Sequence, residues 1–318
     1  MCKSLIMKAI RVNSYGDSSV LRYEDHELPS LLPGQSLVEI YAAGVTLTDI
    51  WIRQGLFDGV WGLSVPYTPG WDYAGVVRIA GSDAPDLSIG QLVFGMLPGQ
   101  GTYAEFAAVA SESVAAVPRE FDFESAAAFP LAATTAYKAL VEVGQVVEGE
   151  KVLILVAAGG VGSFAVQLSK SLRAIVVGAA AVAKHSYVRG LGADWLLDSA
   201  SSISAWREVG ADLILDTVGP AADGILATAL KPGGRVVRIA GPPASVAALN
   251  ARGIQATFSG TEPNSERLRL VAAMAGAHNW SIPVSRRFPL SHAALAHQAL
   301  EQRTVEGKIV LQVRDHTL

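Results

Sequence analysis

The stretch Lys151-Val152-Leu153-Ile154-Leu155-Val156-Ala157-Ala158-Gly159-Gly160-Val161-Gly162 decides the fold. After Lys151 it opens with an unbroken apolar run, the pattern of a strand covered on both faces. It closes on glycines, directly before residues 161–172, which read as a helix. In a strand–turn–helix unit of this kind, phosphate approaches the backbone at the helix N-terminus, where a side chain would block it. Gly162 lets the helix pack closely on the strand. Gly159, Gly160, Val161 and Gly162 are therefore candidate contacts for a dinucleotide pyrophosphate; the competing reading is an ordinary tight β-to-α turn.

Downstream the alternation continues. Residues 174–178, 213–216 and 235–239 are apolar strands, and residues 185–191 are helical. Such strands between helices predict a doubly wound parallel sheet, a Rossmann domain in an α/β chain. Upstream the texture is β-rich. Residues 37–42 and 73–79 are short β-favouring runs, separated by turns at Pro33-Gly34, Pro69-Gly70, Gly90-Gln91 and Pro98-Gly99, which suggests a barrel or sandwich. Residues 124–143 read as helix interrupted at Pro130. From about Glu262 the alternation stops, and a last strand at 308–313 is placed to return to the first domain. The expected division is 1–125 with 263–318, and 126–262.

Composition narrows the class. The chain has 318 residues, 50% hydrophobic and 17% charged, which suits two packed domains rather than disorder. A net charge of -4 without a basic run gives no reason to expect nucleic acid or an anionic membrane as partner. Cys2 is the single cysteine, so neither an internal disulfide nor a thiolate metal site is possible, and a cytoplasmic location is expected. The apolar run 175–183 is far short of the roughly 20 residues that span a bilayer. Residues 1–7 do not read as a signal peptide, and the first six are expected to fray.

The end of the second Rossmann strand selects the nucleotide. Gly178-Ala179-Ala180-Ala181-Val182-Ala183-Lys184-His185-Ser186-Tyr187 holds no carboxylate for a ribose 2′-hydroxyl. Lys184 can reach a 2′-phosphate, with Ser186 and Tyr187 beside it, so NADP is preferred; the plainer reading of Lys184 is a solvated lysine at a helix start.

At this point the chain resembles the medium-chain dehydrogenase/reductase superfamily, in its zinc-free quinone oxidoreductase (zeta-crystallin-like) branch. The carrying segments run in order from residue 7: Met7-Lys8-Ala9-Ile10-Arg11-Val12, Ala42-Ala43-Gly44-Val45, Pro69-Gly70-Trp71-Asp72-Tyr73-Ala74-Gly75, residues 129–136, the Gly159 turn, Leu191-Gly192-Ala193-Asp194, Asp216-Thr217-Val218-Gly219, residues 230–235 and Gly307-Lys308-Ile309-Val310-Leu311. The resemblance implies a GroES-like catalytic domain from both chain ends around the Rossmann domain, and a homodimer. It places Thr135, Val218, Ala240 and Gly241 at the cofactor beside the glycine turn, Gly178 and Lys184. Zinc-using relatives carry ligands where this chain has Thr46 and Trp71, neither a credible zinc ligand, so no metal is expected. Well-studied quinone reductases have asparagine and tyrosine where this chain has Thr46 and Trp51.

The implied chemistry is hydride transfer from NADPH to an enone or a quinone, with Thr46 and Trp51 as catalytic candidates and Thr46 able to donate to a developing oxyanion. Asp49 is read as the cap of the helix that follows. Trp51, Phe57, Trp61, Tyr67 and Trp71 either wall a flat conjugated substrate or pack a core. The histidines (26, 185, 278, 292, 297, 316) are scattered and read as surface or capping groups, and Ser163 as merely following the turn. Three other readings stay open: a tailoring enoyl reductase of a polyketide or other secondary-metabolite pathway, a nucleotide-binding protein without redox turnover, and a lyase or cyclase on the same scaffold.

Overall fold

The structure, a computed structural model, describes residues 6–82, 87–98 and 100–314. Cys2, the fraying expected of the first residues, Gly99 of the Pro98-Gly99 turn, His316 and the side chain of Trp61 lie outside the described residues. The chain divides into two compact units. One holds residues 1–131, 262–277 and 282–318, the other residues 132–261 and 278–281.

In the first unit Ser36–Val45 pairs antiparallel with Asp72–Ile79 and Lys308–Gln312, and its first half also pairs with Phe106–Val109. With partners on both edges and helix Phe123–Ala128 packed on it, this strand is buried almost end to end, which is why it reads apolar at successive positions. The sheet continues through Leu92–Met96 to Val114–Ala116 on one side and ends at Val284–Pro289 on the other. A separate ribbon pairs Ile6–Val12 with Leu21–Glu27.

Helix Phe123–Ala128 packs on strands of this unit, so the unit ends later than residue 125. Pro130 opens a new helix, Pro130–Tyr137, where its missing N–H costs nothing. A buried ion pair locks the returning strand: Lys308 Nζ lies 3.0 Å from Asp72 Oδ2, and Asp72 Oδ1 accepts the Leu131 N–H at 2.8 Å. Asp72, beside Trp71, is thus a structural anchor.

The second unit is a parallel sheet of six strands among the described residues. Its order is Trp195–Asp198, Ile175–Ala180, Lys151–Ile154, Ala211–Asp216, Leu230–Arg238 and Gln255–Phe258. Numbered along the chain this is 3-2-1-4-5-6, the order that reverses beside the first strand and leaves a crevice at the strands' C-terminal ends. Leu153, Ile214, Leu226, Val236 and Leu249 form the core of this unit with Trp206 of the short helix Ile203–Arg207. The sequence reading lacked Trp195–Asp198 and Gln255–Phe258. Both are four-residue edge strands and partly exposed, so neither carries the continuous apolar run of the central strands.

Candidate active site

In the second unit the glycine turn is built for a backbone-bound anion. Gly159 caps the helix Gly160–Ser171 in extended conformation and, as glycine, brings no side-chain cap to its first N–H groups. Those donors and the positive end of a twelve-residue helix suit a pyrophosphate. A Cβ on Gly162 would lie 2.3 Å from the Val156 carbonyl oxygen and 2.8 Å from Ala157 Cα, so only glycine lets helix and strand close to this distance. The turn fits a dinucleotide. Ser163 does more than follow it: the buried hydroxyl donates to the Gly159 carbonyl at 2.7 Å and lies 2.9 Å from the Tyr187 hydroxyl. It thereby ties the turn to the helix His185–Gly190.

At the end of the second strand, Gly178 packs against Val188 and Ala157, a close approach that accounts for the glycine without any ligand. Lys184 closes a short 3₁₀ turn, Val182–Lys184, at the start of the next helix. Among 178–187 there is still no carboxylate. The Thr135 hydroxyl is 2.7 Å from that of Thr261, a partner the sequence did not suggest. Val218 is exposed, and its segment is pinned: the Val218 and Gly219 N–H groups both donate to Asp216 Oδ1 at 2.9 Å. Asp216 Oδ2 accepts from Arg238 Nε at 2.6 Å, and Arg238 also bonds Asp223. Asp216 and Arg238 are both fully buried. Ala240 is buried, and Gly241 follows in the left-handed region at φ 84°.

In the first unit Thr46 is the N-cap of the helix Leu47–Arg53. Its hydroxyl accepts from the Asp49 N–H at 3.2 Å and donates to Asp49 Oδ2 at 2.8 Å; Asp49 Oδ2 also accepts the Thr46 N–H at 2.8 Å. This is a reciprocal capping box. Two expectations change. Asp49 serves the cap from the third helical position, because the helix begins at Leu47 and not at Ile50. The Thr46 hydroxyl proton is held by Asp49 whenever that carboxyl is ionised, so Thr46 is no standing donor to a substrate.

Asp49 is 1% exposed, and burial pushes its carboxyl up to about 7 against the lowering effect of the Thr46 hydrogen bonds. Its Oδ2 accepts from the Tyr103 hydroxyl at 3.2 Å, and Tyr103 Oη is 3.3 Å from His297 Nε2. His297 is wholly buried on the helix Ala293–Glu301, not a surface or capping group. Burial, then the charge of Arg53, push it down to about 3. Arg53 itself is fully buried, and its Nη2 bonds Glu301. Asp49 Oδ1, Arg53 Nε and Nη1, Tyr67 Oη and His297 Nδ1 are buried without hydrogen-bond partners among the described residues.

The buried neutral imidazole has a consequence in acid. A histidine near 3 in the folded chain and near 6.5 in the unfolded one favours unfolding as pH falls from about 6.5 towards 3. At pH 5 this amounts to about 2 kcal/mol. His297→Gln is expected to lose that much less stability than the parent between pH 7 and pH 5, read from urea midpoints; equal losses in the two chains would contradict the assignment.

The aromatic stretch separates by burial. Tyr67 and Trp71 lie in the hydrophobic core of the first unit with Ile10, Leu63 and Met96, so for these two the packing reading holds and the substrate-wall reading is corrected. Phe57 is half-buried against that core, and Trp51 is half-buried on the capped helix. Trp71 and Thr46, at the positions of zinc ligands in relatives, sit in a core and a cap. Among the described residues no three His, Cys, Asp or Glu side chains gather to hold a metal ion. No helix among them is long and apolar enough to cross a membrane.

Comparison with known proteins agrees with this geometry. Residues 32–119 match the family described as alcohol dehydrogenase GroES-like domain, and residues 191–311 the family described as zinc-binding dehydrogenase. The chain is 31% identical to the chloroplastic NADPH-dependent alkenal/one oxidoreductase of Arabidopsis thaliana, over 96% of this chain and 79% of that one. It is 30% identical to the quinone oxidoreductase of Lama guanicoe over 97% and 98% of the two chains. The solved quinone oxidoreductase of Coxiella burnetii superposes with a TM-score of 0.91 at 28% identity, covering 98% of this chain and all of that one. A Rossmann sheet with an uncapped glycine turn, joined to a GroES-like unit, defines a medium-chain dehydrogenase/reductase. The chain belongs to that superfamily, in its quinone oxidoreductase branch.

Proposed function

We propose that the chain is an NADPH-dependent, zinc-independent reductase that transfers hydride to an enone or a quinone. The observation that carries this reading is the glycine N-terminus of Gly160–Ser171, beside a second strand, Ile175–Ala180, followed by a turn that carries Lys184 and no carboxylate. Gly159, Gly160, Val161 and Gly162 would hold the pyrophosphate, and Lys184 the 2′-phosphate. Thr135, steadied by Thr261, with Val218, Ala240 and Gly241, would border the nucleoside ends. NADPH supplies the hydride when bound. Thr46, once Asp49 is protonated, is the candidate polar group for the substrate oxygen, and Trp51 and Phe57 offer flat apolar faces to a conjugated acceptor. In this reading the chain works in the cytoplasm as a homodimer; the single cysteine favours a reducing compartment.

The test is loss of NADPH absorbance with a panel of enones and quinones. Consumption with at least one class is expected; none across the panel sinks the reading. Lys184→Ala is expected to weaken NADPH about tenfold, near the strength of one charge-assisted hydrogen bond, and to leave NADH unchanged. A parent chain that binds NADH as tightly as NADPH would overturn the cofactor assignment.

A further inference from the structure

Two side-chain hydrogen bonds within the second unit join the two places where the proposed function puts phosphate. Ser163 lies in the first turn of the helix Gly160–Ser171 and is fully buried. The Gly159 carbonyl accepts both its N–H, at 2.9 Å, and its hydroxyl, at 2.7 Å. A carbonyl can only accept, so the Ser163 hydroxyl proton is committed to Gly159. The 2.9 Å contact between Ser163 Oγ and Tyr187 Oη must then run from the tyrosine to the serine. The pair of bonds is therefore oriented: Tyr187 donates to Ser163, and Ser163 donates to Gly159.

What these bonds hold follows from the planar peptide. The Gly159 carbonyl and the Gly160 N–H lie in one plane and point in opposite directions. Two donors fix the carbonyl along the helix, so the Gly160 N–H is aimed out of the helix N-terminus, where it has no partner within the helix. The turn needs this brace. It is entered through Val156 at φ 50°, a left-handed conformation that a β-branched residue keeps only under constraint.

The other end of the pair stands on the helix His185–Gly190, three residues after Lys184. The loop that carries Lys184 is closed at its base. His185 Nε2 donates to the Ala180 carbonyl at 3.1 Å, and the Lys184 N–H donates to the Ala181 carbonyl at 2.8 Å. Packing does not ask for the tyrosine hydroxyl. Val188, fully buried, already seats this helix closely on Gly178, and the Ser163 hydroxyl is satisfied by Gly159 alone. Phenylalanine would fill the space of the Tyr187 ring equally well.

We propose that Tyr187 is a positioning residue that sets cofactor specificity: through Ser163 it fixes the spacing between the turn for the pyrophosphate and the loop for the 2′-phosphate, and so favours NADPH over NADH. This rests on the reading above that NADPH binds at the Gly159 turn and Lys184. In NADPH both groups hang from one ribose, on its 5′ and 2′ oxygens, so their separation is nearly fixed. The parts that receive them belong to separate elements, a helix N-terminus and the loop after the second strand. Such a ligand gains from both only when they are held beforehand at the matching distance. NADH uses the turn and makes no call on the loop.

Equilibrium titration of the ligand-free chain, read by nucleotide fluorescence with NADPH and NADH as probes, decides it. Tyr187→Phe removes one oxygen and keeps the ring. The Kd for NADPH is expected to rise about fivefold, the worth of one hydrogen bond, with NADH within about twofold of the parent. Ser163→Ala removes the brace as well as the link, so NADH is expected to weaken about fivefold and NADPH about 25-fold. Tyr187→Phe added to Ser163→Ala, or to Lys184→Ala, is expected to cost less than about twofold more, because each of those changes already removes one end of the coupling. A Tyr187→Phe chain that keeps the parental ratio of the two Kd values overturns the proposal, whether both nucleotides bind as before or both weaken alike. Losses that multiply in the Lys184→Ala background overturn it too, since Tyr187 would then meet the phosphate itself. Should Ser163→Ala fail to fold, the Tyr187→Phe and Lys184→Ala chains complete the test. Failure of the underlying reading shows before any substitution: the parent chain would bind NADPH no more tightly than NADH, or would bind neither.

Discussion

Gly162→Val is expected to weaken NADPH binding by at least about a hundredfold. The first added carbon would fall 2.3 Å from the Val156 carbonyl oxygen and 2.8 Å from Ala157 Cα. Both are backbone atoms of the strand's exit, so neither can rotate away. Relief requires the helix Gly160–Ser171 to slide off the strand, and its first N–H groups move with it. Hydrogen bonds of these donors to phosphate weaken steeply once the geometry departs by a few tenths of an ångström. A rise in Kd of at least about a hundredfold is expected from the loss of two such bonds, with a stability loss of roughly 1–3 kcal/mol for the overpacking. Titration by NADPH fluorescence and a urea midpoint check both. Gly190→Ala is the control, since a Cβ there meets nothing within 4 Å. A Gly162→Val chain that binds NADPH within threefold of the parent would refute the role of the turn.

Arg238→Met is expected to destabilise the chain by about 3–5 kcal/mol, the usual result of leaving one charge buried without its partner. Asp216 is fully buried, and its two oxygens hold Arg238 on one side and the Val218 and Gly219 N–H groups on the other. Removing the guanidinium leaves a carboxylate with no cation and leaves Asp223 without its bond. Adding Asp216→Asn to Arg238→Met keeps an acceptor for the two N–H groups and removes the orphaned charge, so more than half of the loss is expected to return. The double variant thus separates charge burial from loop anchoring. A loss under about 1 kcal/mol for the single variant would show that the Arg238 charge is not needed there.

The parts of the molecule that could be read from sequence are those written in consecutive residues. The strand, turn and helix of 151–172 are local, and so is the missing carboxylate after Gly178. The capping box was also in the sequence, as Thr46 and Asp49 three apart. It was misassigned because the helix opens on Leu47, which is apolar but exposed, and the polar Thr48, while the buried apolar residues begin only at Ile50. The line from Thr46 to His297 was invisible for a different reason. Tyr103 and His297 are 194 residues apart, and nothing near His297 in sequence hints at a carboxylate. The aromatic stretch looked like a unit because its members are close in sequence. Alternation within strands and turns then sent Tyr67 and Trp71 inward and left Trp51 and Phe57 half-exposed, a sorting that composition does not record.

The strand Lys308–Gln312 pairs on one side with Ser36–Val45 and on the other with Val284–Pro289. It also carries the cation that neutralises Asp72. A ribosome makes these residues nearly 270 positions after the strand they must join. The nucleotide-binding sheet, complete by Phe258, can close while the chain is still being synthesised. The GroES-like sheet has to wait with the second half of Ser36–Val45 unpaired along one edge and Asp72 without its counter-charge. Loss of the last dozen residues would therefore harm most the unit that begins the chain, and in a growing polypeptide it is the early-made strands that need shelter longest.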